Sequence, residues 1–350
     1  MIWLTWRQFR AQAIVAAVAL AALAVALAVT GPHITHLYDT NQVASCQANG
    51  DCQSAVATFL QELSTSYIKA VYFIVLAVVL LAPALIGIFC GAPLIAREVE
   101  AGTFRLAWNQ SVTRTRWTAI KLAAVGLASV AVAELASLML SWWSSPFIHA
   151  AGLVANPAGA PFSEGRFQMA IFATAGITPI GYAAFAFALG VTIGLLVRRT
   201  VPAMAITLAI FAAVWIAMPL AIRPHLMTPD RVTTPLDASV IQGWGINQPG
   251  SDLQVTVGSP PNLAGAWIYS TQVINAAGSA NLGQAPQACR GNFNPRSCGN
   301  AIRQLPLRQV TVYQPASRFW DFQGIETGIF AVLALLLAGS CFWLVRRRLS

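Results

Sequence analysis

Hydrophobic and polar positions along this 350-residue chain come in blocks rather than in the short alternation of a soluble domain. Six blocks are apolar and almost free of charge: roughly 13–30, 70–92, 122–143, 167–197, 201–222 and 327–345. Crossing a bilayer takes about 20 consecutive apolar residues in a helix. A helix satisfies its own backbone polar groups, which lipid cannot do for it. The pattern therefore predicts six transmembrane helices. The fourth block is longer than one crossing needs and contains Gly176, Pro179, Gly181, Gly190 and Gly194. A kink, a tilt, or a break into a spanning and an interfacial part is expected there.

The intervals differ from one another in texture. Residues 223–323 are rich in Pro, Gly, Asn and Gln and contain the alternating runs LQVTVG (253–258) and RQVTVYQ (308–314), which read as strands separated by turns. About 100 residues is enough for a small domain with its own core. Trp244, Trp267, Tyr269, Tyr313 and Trp320 are candidates for that core, or for the wall of a carbohydrate or lipid site. In the interval 31–69, the second half keeps a helical period leading into the second span. The interval 144–166 shows no clear period. The fold class expected is an all-α integral membrane protein: six transmembrane helices, with a small extracytoplasmic β-containing domain between helices 5 and 6. Residues 1–222 form the five-helix part, 223–323 the outer domain, and 324–350 the sixth helix with a basic tail.

Composition and charge set the orientation. The chain is 57% hydrophobic and 9% charged with mean hydropathy +0.63, where a soluble domain carries about 25% charged residues. One set of intervals holds Arg7, Arg10, Arg97, Arg105, Arg114, Arg116, Lys121, Arg198, Arg199 and Arg346 to Arg348, which is 12 of the 21 basic residues, against only Glu98 and Glu100. The positive-inside rule assigns that set to the cytoplasm. A multi-pass plasma-membrane protein with both termini cytoplasmic follows, and the net charge of +9 is a topology signal rather than a nucleic-acid one. The first apolar block, at about 18 residues, is longer than a signal-peptide core, so an uncleaved first span is expected. Cys46 and Cys52 fall in the first outer loop and Cys289 and Cys298 in the last, both on the oxidising side. Two short-loop disulfides are the reading, with a metal site the rival. Cys90 and Cys341 fall in spans as packing residues.

The stretch REVEAGTFRLAWNQSVTRTRWTAIK, Arg97 to Lys121, is a charged island between two apolar blocks. Leu94, Ala101, Phe104 and Trp108 would share one face of a short amphipathic helix over about 94–108, with Arg97, Glu100 and Arg105 largely off it. Gly102 weakens a continuous helix there. Ser111 or Thr113 is placed to cap the next helix, which carries Arg114, Arg116 and Lys121 toward the membrane. Two readings fit: an interfacial connector anchored by Trp108 and Trp117, or a docking element for a cytoplasmic partner.

The pattern E-x-E-x-G-T-x-x-L at Glu98, Glu100, Gly102, Thr103 and Leu106, followed by Ser111, Arg114, Trp117 and Lys121, resembles the loop after the second span of type-2 ATP-binding-cassette (ABC) transporter permeases. The N-terminal LTWRQFRAQ resembles the short amphipathic helix that opens those proteins. YQPASRFWDFQGIET (313–327) is similar to a signature of their actinobacterial branch. The resemblance implies that the loop is a coupling helix seated on an ATPase subunit. Arg97, Glu98 and Glu100 would then supply polar docking contacts, and Phe104 and Trp108 a wedge. The expected partners are a cytoplasmic ABC ATPase, a second copy or a related permease, and the bilayer, with no nucleic acid. No cofactor is expected on this chain, since ATP would be bound by the partner: no G-x-x-x-x-G-K-[ST] motif occurs in the sequence.

Other chemistry is thin. Glu134 is the one ionisable residue read as deep inside a span, where charge is costly and faces a cavity or a partner. It is a transport-path candidate, or else pairs with a neighbouring helix. His33 and His36 lack a third ligand nearby in sequence, so no metal site is assigned. Neither H-E-x-x-H nor G-x-S-x-G occurs, and no catalytic residue is assigned. The leading expectation is a permease subunit of an ABC exporter, not itself an enzyme. The substrate is open among drugs, lipids and peptides. The alternative is a membrane-anchored sensor or assembly factor whose 223–323 domain binds an outer ligand or partner.

Overall fold

A computed structural model describes residues 2–46, 52–100, 113–154, 162, 165–237, 240–247, 252–289 and 295–348. Of the described residues, 73% are helical. Six helical segments are long and apolar enough to cross a membrane: Phe9–Thr40, Ile68–Glu100, Thr115–Gly152, Thr178–Val197, Thr200–His225 and Ala316–Arg346, spans one to six. Span four is the centre of the bundle. In its most apolar stretch 72% of residues are buried by the rest of the chain, against 33% or less in any other span. Its all-round apolarity matches that position, since a helix buried on every side has no polar face.

Spans two and four meet backbone to backbone. A Cβ added at Gly190 would sit 2.3 Å from the Gly87 carbonyl oxygen, and one at Gly194 would sit 2.4 Å from that of Ala92. The contact falls where span two widens into a π turn, Ile86–Gly91. Close approach through small residues is how helices associate in lipid, where burying apolar surface gives no driving force.

Span four is broken, one of the forms its glycines suggested. A short helix, Met169–Thr174, is capped by Gln168, whose side chain accepts from the amides of Ala170 and Ile171. The chain then turns through Gly176 at φ 61° and restarts at Thr178. Span one begins without a separate lead-in: helix runs unbroken over Ile2–Thr40, with no proline or glycine before Gly31 to end an N-terminal segment.

Three boundaries differ from the expectation. The third helix, Arg114–Gly152, continues through what looked aperiodic. Trp143, Phe147, Ala150, Ala151 and Val154 are all buried at helical spacing, so packing overrides Pro146. The sixth helix, Phe319–Arg348, starts at Phe319 rather than Thr327. The helix Cys52–Thr65 ends short of span two at Ser66 and Tyr67 instead of running into it.

Between spans five and six lies a β-containing region. Strands β1 (Asp230–Pro235), β5 (Arg308–Gln314) and β4 (Trp267–Ile274) form an antiparallel sheet in the order β1-β5-β4. Strands β2 (Ile241–Asn247) and β3 (Asp252–Val257) pair separately. Leu253, Val273, Ala285, Ile302 and Leu307 form its core around the disulfide Cys289–Cys298. The other expected disulfide, Cys46–Cys52, is also formed. Of the aromatic candidates, Trp244 packs on that core. Trp267 instead stacks on Phe167 at 5.7 Å and docks the region against the spans, and Trp320 is exposed.

Candidate functional site

The charged island is built from the ends of three spans. Helix Ala92–Glu100 closes span two, with Ile95 and Ala96 buried and Arg97 exposed. Glu98 forms an ion pair with Lys121 of span three, whose side chain is buried. The Lys121 ammonium also sits 4.6 Å from the ring centroid of buried Trp117, a cation–π contact. Glu100 reaches the start of span five. Its carboxylate accepts from the Thr200 amide at 3.1 Å and the Thr200 hydroxyl at 2.7 Å. It thereby caps a helix whose N-cap position, Arg199, makes no side-chain cap hydrogen bond. Thr113 caps the third helix by accepting from Arg116 N at 3.4 Å.

Sequence reasoning offered Glu98 and Glu100 to an outside partner; the structure gives both carboxylates internal partners. They tie span two to spans three and five on either side of the segment 101–112. Gly102, Thr103, Phe104, Leu106 and Trp108 lie outside the described residues, as does the side chain of Arg114. Among the island's described basic residues, Arg97 and Arg116 face outward.

The opposite end of the bundle holds a buried ionic cluster. Arg223 follows the π turn Met218–Ile222 of span five, and its guanidinium grips Glu326 of the sixth helix with two hydrogen bonds, 2.8 and 3.0 Å. Both residues are buried, and the Tyr182 hydroxyl of span four donates to the same carboxylate. The face of Phe172 covers the guanidinium at 3.9 Å. One turn earlier, the Gln323 side-chain oxygen accepts from the amides of Ile177 and Thr178 at 3.1 and 3.0 Å and from the Thr178 hydroxyl. Its amide donates to Phe172 O at 3.1 Å. Gln323 thus satisfies the backbone groups that the break in span four sets free.

The stretch 313–327 acquires a physical role from this arrangement. Arg318 donates to Thr228 O, to the Gln314 side chain and to Asp230, fixing the start of β1 to the sixth helix. Phe319 and Phe322 pack with Phe167 and Phe172. Sequence reasoning missed Arg223, Glu326 and Gln323 as members of one cluster, because it drew the span ends at 222 and 327. The available signal was the density of Asp, Gln and Glu at 321–326, immediately before an apolar block.

Glu134 is therefore not alone among buried ionisable groups: Lys121, Arg223 and Glu326 are buried more completely. Glu134 is half-buried, and its Oε2 has no hydrogen-bond partner among the described residues. Among those residues no group of three or more His, Cys, Asp or Glu comes together. A family model described as ABC-2 membrane transporter related matches residues 17–223, which takes in spans two to four, most of span one and nearly all of span five. No curated protein and no solved structure matches the chain.

Proposed function

The chain belongs to the ABC-2 membrane transporter related family, and from that premise we propose that it is the permease subunit of an exporter driven by a separate ABC ATPase. Two copies, or one copy and a related permease, would assemble around a shared path. The ATPase would dock on the cytoplasmic face at the segment 94–108.

The observation that supports this most is the clamp of Glu98 on Lys121 and Glu100 on Thr200. A segment held at one end by span two and at the other by the Thr113 cap of span three delivers a push to several helices at once. An interfacial connector with no partner has no need to be tied to the start of span five. In this reading Glu98 and Glu100 transmit force, while Arg97 and the 101–108 segment meet the ATPase.

The test is purification of crosslinked protein from native membranes, with co-purifying chains identified by mass spectrometry. A stoichiometric ABC ATPase is expected, lost in the Phe104→Ala/Trp108→Ala variant while that variant keeps the wild-type thermal midpoint. Absence of an ATPase from the wild type would overturn the reading.

A further inference from the structure

Spans one and three lie side by side, joined where Trp143 Nε1 donates to Thr30 Oγ1 at 2.9 Å. Beyond that contact a groove runs between them toward the end of the bundle where the β-containing region sits. Two cavities of about 350 and 440 Å³ lie along it and share Thr35, Ser145 and Pro146. Each falls in the range of about 300–1,000 Å³ usual for small-molecule sites.

The groove changes character along its length. Its deeper part is walled by Ala28, Gly31 and Trp142, and the Trp142 indole is 64% exposed. Its outer part is walled by Tyr38, Asp39 and His149, with the Tyr38 hydroxyl and His149 Nδ1 3.2 Å apart. Asp39 is exposed and stands in the last turn of the helix Ile2–Thr40, a turn without a basic residue. The carbonyls of Leu37, Tyr38 and Asp39 at that helix end already accept from the amides of Asn41, Val43 and Gln42, so the Asp39 carboxylate is the negative group the groove presents. Among the described residues no salt bridge neutralises Asp39. Ala28 and Asp39 are separated by about 16 Å along the helix axis.

We propose that this groove binds an amphipathic monocation taken from the lipid phase. Its apolar body lies on Trp142 and Gly31, and its charge sits at Asp39. Charge complementarity selects the occupant: a phosphate or carboxylate head would meet the like charge of the Asp39 carboxylate. The indole face supplies apolar area for that body. The inference depends on neither the ATPase nor the direction of transport.

Equilibrium binding of radiolabelled tetraphenylphosphonium to the full-length chain in lipid nanodiscs tests it, with tetraphenylborate as the anion of the same shape and empty nanodiscs as background. Saturable binding of the cation alone is expected. It should weaken about tenfold in Asp39→Asn and in Trp142→Ala, and stay unchanged in Leu335→Ala, which alters a lipid-facing position on the sixth helix that is 72% exposed. The Asp39 and Trp142 side chains are exposed, so both variants should keep the fold. Absence of saturable binding, equal binding of the borate, or equal affinity in all variants would overturn the proposal. So would a Trp142→Cys variant that crosslinks to a second copy regardless of saturating cation, which would assign the groove to a subunit contact.

Discussion

Glu326 and Glu98 each hold a buried cation, and the consequence of losing either carboxylate follows from the partner left behind. Removing one member of a buried pair costs about 3–5 kcal/mol, whereas replacing both by apolar side chains is often neutral. Glu326→Leu should therefore lower the thermal midpoint in mild detergent sharply, leaving Arg223 charged and buried. Arg223→Met/Glu326→Leu should recover most of the loss. A double variant no better than the single one would show that the Tyr182 hydroxyl, rather than the ion pair, carries the stability. The same logic applies to Glu98, whose loss strands Lys121. Glu98→Ala should reduce folded yield, and Glu98→Ala/Lys121→Met should restore it, as size-exclusion profiles will show. Any effect of Glu98→Ala on transport then has to be read against that instability. Glu100 is exposed, so Glu100→Ala should cost only its cap on span five, a smaller fall in the midpoint than Glu98→Ala gives, and is the cleaner probe of coupling.

At the level of elements, two joints set the bundle. The crossing of spans two and four leaves no room for a side chain at Gly190, because the obstacles are the Gly87 carbonyl oxygen and the Ala92 amide nitrogen rather than movable side chains. Gly190→Val should push the two spans apart and give aggregated protein on size exclusion. Gly339→Val on the sixth helix, where an added Cβ meets nothing within 4 Å, should elute as wild type. The second joint is the break in span four sealed by Gln323. Gln323→Leu keeps the volume but strands the amides of Ile177 and Thr178, each unsatisfied group costing about 1–3 kcal/mol. Faster amide exchange at Ile177 and Thr178 is the expected signature. The sequence made the spans themselves legible, because lipid imposes length and apolarity on each one separately. It left their ends illegible, because a helix stops where its packing stops. Residues 144–152 stay helical because Phe147 and Ala150 are buried, and 319–326 because Phe319, Phe322, Gln323 and Glu326 all have partners across the bundle. The island was legible as a constellation, but the assignment of its carboxylates was not. Glu98 and Lys121 are 23 residues apart, and Glu100 and Thr200 are 100 apart.

Across the whole molecule, two features at opposite ends of the bundle bear on one question, the orientation in the membrane. The end with the Glu98–Lys121 clamp also carries Arg97, Arg116, Arg198 and Arg199, while the other end carries the two disulfides and the β-containing region. Positive charge is retained in the cytoplasm and disulfides persist outside it, so charge and redox chemistry independently point the same way. Single cysteines at Arg97 and at Ser279, in a background with Cys90 and Cys341 replaced by alanine, make this testable without touching either disulfide. Ser279 lies in an exposed turn of the β-containing region, and Arg97 is exposed at the clamp. In intact cells a membrane-impermeant maleimide should label Ser279→Cys and leave Arg97→Cys unlabelled until the membrane is permeabilised. The reverse pattern would put the clamp outside, where no ATP is available to a docked ATPase. It would also put both disulfides in a reducing compartment, so one labelling experiment tests the orientation on which the coupling reading depends.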